Sequence, residues 1–160
     1  MSNLLQHIDI DTLRIFWQLV LAMFFGLIIG LEREYHRKAA GLRTYALVSL
    51  GSALFTIISY EGLSSVTQNP GFDPSRIASQ IVVGIGFIGG GLIFQQGDKV
   101  LGLTTAAAIW AVAAIGVAVG IGMYSVAAFT TVLVLTVVWV FRFVEKVLPR
   151  IDSGDGKNGK

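Results

Sequence analysis

Glu32-Arg33-Glu34, followed by His36 and then by Arg43-Thr44, are the side chains best suited to ionic chemistry in this chain. Seven ionisable groups crowd into residues 32–43, between two apolar runs that carry no charge. Two carboxylates two positions apart could hold a hard cation, because magnesium takes oxygen ligands and is often bound through one or two carboxylates with water retained. A second acidic pair is Glu61 with Asp73, and Arg76 stands three residues after Asp73. Neither pair has a diagnostic ligand spacing, and each has a plainer reading. Glu34 and Lys38 stand at i, i+4 on a solvated helix end, as do Glu32 and His36. Asp73-Pro74 reads as the N-cap and first position of a helix, with Arg76 as an i, i+3 ion partner. Glu32 abuts the hydrocarbon boundary directly, where a carboxylate needs a partner. Arg43, across a short loop, and the adjacent Arg33 are the two candidates.

Composition narrows the chemistry. Only 14% of the 160 residues are charged against 54% hydrophobic, and the mean hydropathy is +0.71. A soluble domain has about 25% charged residues, so the chain reads as an all-α membrane protein. With no cysteine, disulfides and thiolate metal sites are excluded. The only histidines, His7 and His36, fall on opposite sides of the expected topology, so no His-based metal pair forms. No nucleophile or metalloprotease motif is present, and the chain is not expected to be an enzyme. The start lacks a basic n-region and an A-x-A-like site, so the first apolar run reads as an anchor.

The elements that position these residues follow from the uncharged runs 15–31, 44–60, 77–95 and 103–141. The last would reach roughly 58 Å as one helix, twice the ~30 Å hydrocarbon core. Gly116, Gly120 and Gly122 weaken its middle, so a turn near Gly120–Tyr124 divides it and the expected count is about five helices. Five crossings put ten of the twelve Lys/Arg on one side. Four would divide them seven to five. The positive-inside rule then predicts the N-terminus outside and the C-terminus cytoplasmic. Residues 1–150 are expected to form one membrane domain, and 151–160 a disordered polar tail. Asn69-Pro70-Gly71 signals a turn, and Pro149 an end to the last helix.

Glycines recur at four-residue spacing: Gly26 and Gly30, Gly86 and Gly90, Gly116 and Gly120. Such pairs let helix backbones approach in lipid. Gly84-Ile85-Gly86-Phe87-Ile88-Gly89 matches G-x-G-x-x-G, but it lies in an apolar span with no preceding strand, which rules out a dinucleotide site. Gly89-Gly90-Gly91 could instead break the helix and line a polar cavity. Among the polar residues of the spans, Gln80 is the hardest to hide and needs a partner or water. Thr104 and Thr105 are others.

Three ordered blocks carry a family resemblance. Gly30-Leu31-Glu32-Arg33-Glu34 with Ala40-Gly41-Leu42-Arg43-Thr44 resembles the first signature of the MgtC/SapB membrane proteins of bacteria. The stretch from Asp73 to Gly91 and Gly102-Leu103-Thr104-Thr105-Ala106-Ala107, with Trp110 and Gly116, look like the other two. The resemblance runs from about residue 15 to 140. It implies a multi-pass protein of about five helices in the bacterial inner membrane. The family is associated with adaptation to low magnesium and, in intracellular pathogens, with survival inside host cells. Its better-studied members look like regulators of other membrane proteins, including the ATP synthase. Many members carry a soluble C-terminal domain that this chain is not expected to have. The family's acidic outer position maps onto Asp73, and its inner motif onto Glu32, Arg33 and Arg43. The expected partners are the lipid bilayer, another inner-membrane protein and a possible second copy, with no nucleic acid. No cofactor is expected, although Mg2+ at Asp73 and Glu61 is conceivable. Two functions stand: a regulator of another membrane protein in magnesium and stress adaptation, or a cation transporter acting as an oligomer.

Overall fold

The computed structural model describes residues 10–62, 73 and 75–147. It consists of α1 (Ile10–Tyr35), α2 (Leu42–Ile57), α3 (Ser75–Gly90), α4 (Leu103–Gly120) and α5 (Tyr124–Val147), with a hairpin of β1 (Phe94–Gln96) and β2 (Lys99–Leu101) between α3 and α4. A π-helical turn, Ile58–Gly62, continues α2. The helices over Ile10–Tyr35, Leu42–Glu61, Leu103–Gly120 and Tyr124–Phe141 are long and apolar enough to cross a membrane. The fifth, α3, has 16 residues, or about 24 Å of rise. The chain is an all-α membrane protein. The expected turn at Asn69–Gly71, Pro74, Pro149 and the 151–160 tail lie outside the described residues.

Contacts between distant side chains fix the threading. Arg14 near the start of α1 meets Glu61 beyond α2 at 3.0 Å. The Tyr45 hydroxyl near the start of α2 donates to the Thr105 carbonyl near the start of α4 at 3.3 Å. Arg33 at the end of α1 donates to the Val138 carbonyl late in α5 at 3.4 Å. Successive helices therefore run in alternating directions. One face gathers the α1–α2 loop, the hairpin and the end of α5; the other gathers Arg14, Glu61 and Asp73.

Helix α4 is central and packs against the other four. Its buried residues, among them Ile109, Val112, Ile115 and Val119, join Ala22 and Ile29 of α1 and Ala53 of α2 in one core. Glycine makes this core possible. A Cβ on Gly116 would collide with the Ser49 carbonyl and lie 2.9 Å from Ser52 Cβ, and one on Gly120 would lie 2.9 Å from the Ala53 carbonyl oxygen. On the α1 side, a Cβ on Gly26 would lie 2.9 Å from Ala46 Cα, and one on Gly30 2.7 Å from Leu42 Cα. Two of the three spaced pairs are thus seams that bring α1 and α4 against α2. Lipid offers helices no hydrophobic drive to associate, so this close contact is what holds them. At the third pair, Gly86 and Gly90, an added Cβ would meet nothing within 4 Å among the described residues.

Helix ends follow local hydrogen bonding. Helix α1 stops in a Schellman arrangement: Lys38 N–H bonds the Arg33 carbonyl (3.0 Å) and Arg37 N–H the Glu34 carbonyl (2.9 Å), with Arg37 at φ 50 in the left-handed region. The α4–α5 turn repeats it, with Met123 N–H on the Ala118 carbonyl and Gly122 N–H on the Val119 carbonyl. The sequence placed this turn correctly. It placed the third span's end too late. Gly89–Gly91 terminates α3 at Gly90 instead of breaking a longer helix around a cavity, and the chain turns into the hairpin. There Gly97, at φ 60, is the first of two loop residues between Gln96 and Lys99, which pair. Glycine is favoured at that position of a two-residue turn.

Candidate functional site

Glu32 and Arg33 leave the last turn of α1 toward the protein interior. Arg33 is 2% exposed and Glu32 13%. Arg33 Nε donates to Glu32 Oε2, and its Nη2 reaches the Val138 carbonyl on α5. His36 Nδ1 lies 2.8 Å from Glu32 Oε1 and 2.9 Å from the Glu32 carbonyl oxygen. Of the two partners foreseen for Glu32, the structure selects Arg33; Arg43 is exposed and takes no part. An arginine suits this position because several donors in one fork can serve a carboxylate and a second acceptor together. The trio couples the end of α1 to α5.

Glu34 has a separate task. Its Oε2 accepts a 2.9 Å hydrogen bond from Leu42 N–H, the first residue of α2. A carboxylate is favoured there, since the first turn of a helix presents unpaired N–H groups and partial positive charge. A Cβ on Gly41 would meet that carboxylate, which would have to swing aside from the Leu42 N–H. Thr44 is half-buried in the first turn of α2. The charged motif therefore comprises a trio around the buried Arg33, with Glu32 and His36 partly exposed, and a separate exposed cap at Glu34.

At the opposite face, Asp73 Oδ1 accepts from Ser75 N–H at 2.9 Å, the N-cap role read from the sequence. The Ser75 hydrogen bonds, and secondarily the Arg76 charge, hold the Asp73 carboxyl below its ordinary value. A group so shifted supports α3 above the ordinary carboxylate range and loses that support as pH falls through its folded value. Asp73→Ala should speed hydrogen exchange at the Ser75 amide at neutral pH. Acidification below the carboxylate range should do the same to the unsubstituted chain after correction for intrinsic rates; protection that ignores both changes would refute the cap. Glu61 is occupied by Arg14. Among the described residues no group of three or more His, Asp or Glu converges as a metal site would.

Inside the spans Gln18 is a constrained polar residue that the sequence reading passed over. It is 1% exposed, and its Nε2 donates to the Val119 and Gly120 carbonyls at 3.2 and 3.3 Å, tying α1 to the end of α4. It is the one amide in the run 15–31, and that was the available signal. Thr105 is buried; Thr104 and Trp110 face outward. Gln80 is exposed on α3. It lines, with Gly84, a groove between α2 and α3. Gly89 packs on Ala106, whose Cβ would lie 3.5 Å from an added Cβ, while Gly91 closes the end of α3.

Several apolar helices in alternating directions define a multi-pass membrane protein. The model of the MgtC family matches residues 19–147, and the chain belongs to that family. It is 48% identical over 126 residues to the "Putative magnesium transporter YhiD" of Escherichia coli K12, covering 78% of this chain and 59% of that protein. It is 47% identical over 117 residues to "Protein MgtC" of Salmonella typhimurium 14028s, covering 73% and 48%. The chain thus spans between about half and three-fifths of the length of these relatives. No solved structure matches it.

Proposed function

We propose that this protein sits in the bacterial inner membrane and regulates another membrane protein during magnesium and stress adaptation. The carrying observation is the contact of backbone with backbone along α2. Gly26, Gly30, Gly116 and Gly120 close the α1–α2 and α2–α4 interfaces so tightly that a methyl group would not fit. A hydrated cation needs a wider, polar-lined route, since magnesium gives up its water reluctantly. The carboxylates nearest the outer mouth are engaged, Glu61 by Arg14 and Asp73 by the start of α3. Among the described residues a seam is left free: a Cβ on Gly86 or Gly90 would meet nothing within 4 Å, and Phe87 between them is 87% exposed. A partner helix could pack closely there.

A second reading, cation transport by an oligomer, draws on the printed name of the Escherichia coli relative and on the exposed Asp73 carboxylate. The two separate under substitution of the free seam. Gly86→Leu with Gly90→Leu should leave folding intact, yet abolish both growth support at low magnesium and co-purification of a membrane protein with the full chain. Retention of both in the double variant would defeat the regulatory reading.

A further inference from the structure

The groove between α2 and α3 encloses about 500 Å³ and opens toward the surrounding lipid. Leu47, Gly51 and Phe55 line one wall; Gln80, Gly84 and Ile88 line the other. Each wall, Leu47 to Phe55 and Gln80 to Ile88, runs nine residues, a rise of roughly 12 Å along the helices. The groove's mostly apolar lining suits extended hydrocarbon chains.

The groups along α3 are ordered in a way that says more. Arg76, Gln80 and Gly84 stand at successive i, i+4 positions, hence on one side of the helix and about 6 Å apart along it. Arg76 is exposed near the Asp73 face, and among the described residues no carboxylate lies within ion-pair distance of it. The Gln80 amide, one turn deeper, has no hydrogen-bond partner there either; that is costly at hydrocarbon depth. Below it, Gly84 and Gly51 leave open space from both walls, since a Cβ on either would meet nothing within 4 Å. A cation, an amide donor and an apolar slot succeed one another from the surface inward. A phospholipid presents phosphate, ester carbonyl and acyl chain in the same order.

We infer that the α2–α3 groove is a phospholipid site of the leaflet on the Asp73 side. The phosphate meets the Arg76 guanidinium, an ester carbonyl accepts from the Gln80 amide, and an acyl chain lies over Gly84 and Gly51 toward Ile88. A mostly apolar pocket with a few placed polar groups is the usual form of a small-ligand site. The groove lies on the side of α3 away from Gly86 and Gly90, so the inference does not depend on the partner seam proposed above.

Native mass spectrometry of the full chain in mild detergent, titrated with phosphatidylglycerol, tests this. The unsubstituted protein should hold one lipid that resists removal. Gly84→Leu and, from the other wall, Gly51→Leu should each weaken that binding by about tenfold or more, the equivalent of ~1.4 kcal/mol. Both side chains enter open space, so helicity by circular dichroism should be retained. Arg76→Gln should weaken phosphatidylglycerol while leaving retention of uncharged diacylglycerol unchanged. Equal lipid affinity in both leucine variants and the parent would overturn the site. So would a change of subunit stoichiometry in place of lipid loss, because the groove would then belong to a second copy.

Discussion

Gly116→Leu should be among the most destabilising single substitutions in the described chain. The new side chain points at the Ser49 carbonyl and Ser52 Cβ on α2, and neither can rotate away as the tip of a long side chain could. Overpacking a core typically costs about 1–3 kcal/mol. Here the obstacle is backbone, so α2 and α4 must part, and loss above about 3 kcal/mol is expected, in the range diagnostic of core disruption. The control is Gly86→Leu, which meets nothing within 4 Å and should stay within about 0.5 kcal/mol of the parent. Unfolding in mixed detergent and SDS, followed by circular dichroism, measures both. Equal midpoints for the two variants would remove the seam from the account.

Arg33→Leu should have the next largest effect. Among the described residues it leaves the Glu32 carboxylate, 13% exposed, with His36 alone close by, and it frees the Val138 carbonyl of its tie to α1. Removing one member of a buried ion pair costs about 3–5 kcal/mol, because the other charge stays buried uncompensated. The same argument predicts rescue: Glu32→Leu added to Arg33→Leu should recover most of the loss. A double-mutant cycle measured by the same unfolding assay should therefore return a large coupling between the two positions. Additive losses would mean that Arg33 acts through packing alone.

Much of this architecture was legible because charge and hydrocarbon cannot share space. The uncharged runs located all five helices, and the glycine-weakened middle of 103–141 marked the turn at Ile121–Met123. The readings that missed did so where two signals competed. Gly89–Gly91 was offered as an alternative break within a span, but consecutive glycines beside Phe94-Gln95-Gln96-Gly97-Asp98-Lys99 also mark a helix stop before a hairpin, and local turn chemistry prevailed. The partner of Glu32 was open between Arg33 and Arg43 because sequence gives distance along the chain and not direction; the burial of Arg33 decided it. Gln18 escaped notice because a single amide hardly alters the hydropathy of a long apolar run, although its hydrogen bonds to α4 make it one of the more constrained side chains. The openness of Gly84, Gly86 and Gly90 could not be read at all, since the same spacing at Gly26 and Gly116 marks closed seams.

Magnesium flux bears most directly on the central claim that the closed seams make this a binding protein and not a conduit. Purified full-length chain in sealed liposomes loaded with a magnesium-sensitive dye should admit Mg2+ no faster than protein-free liposomes, with Asp73→Asn indistinguishable from the parent. Influx that rises with protein density and disappears in Asp73→Asn would contradict the account and hand the protein to the transport reading.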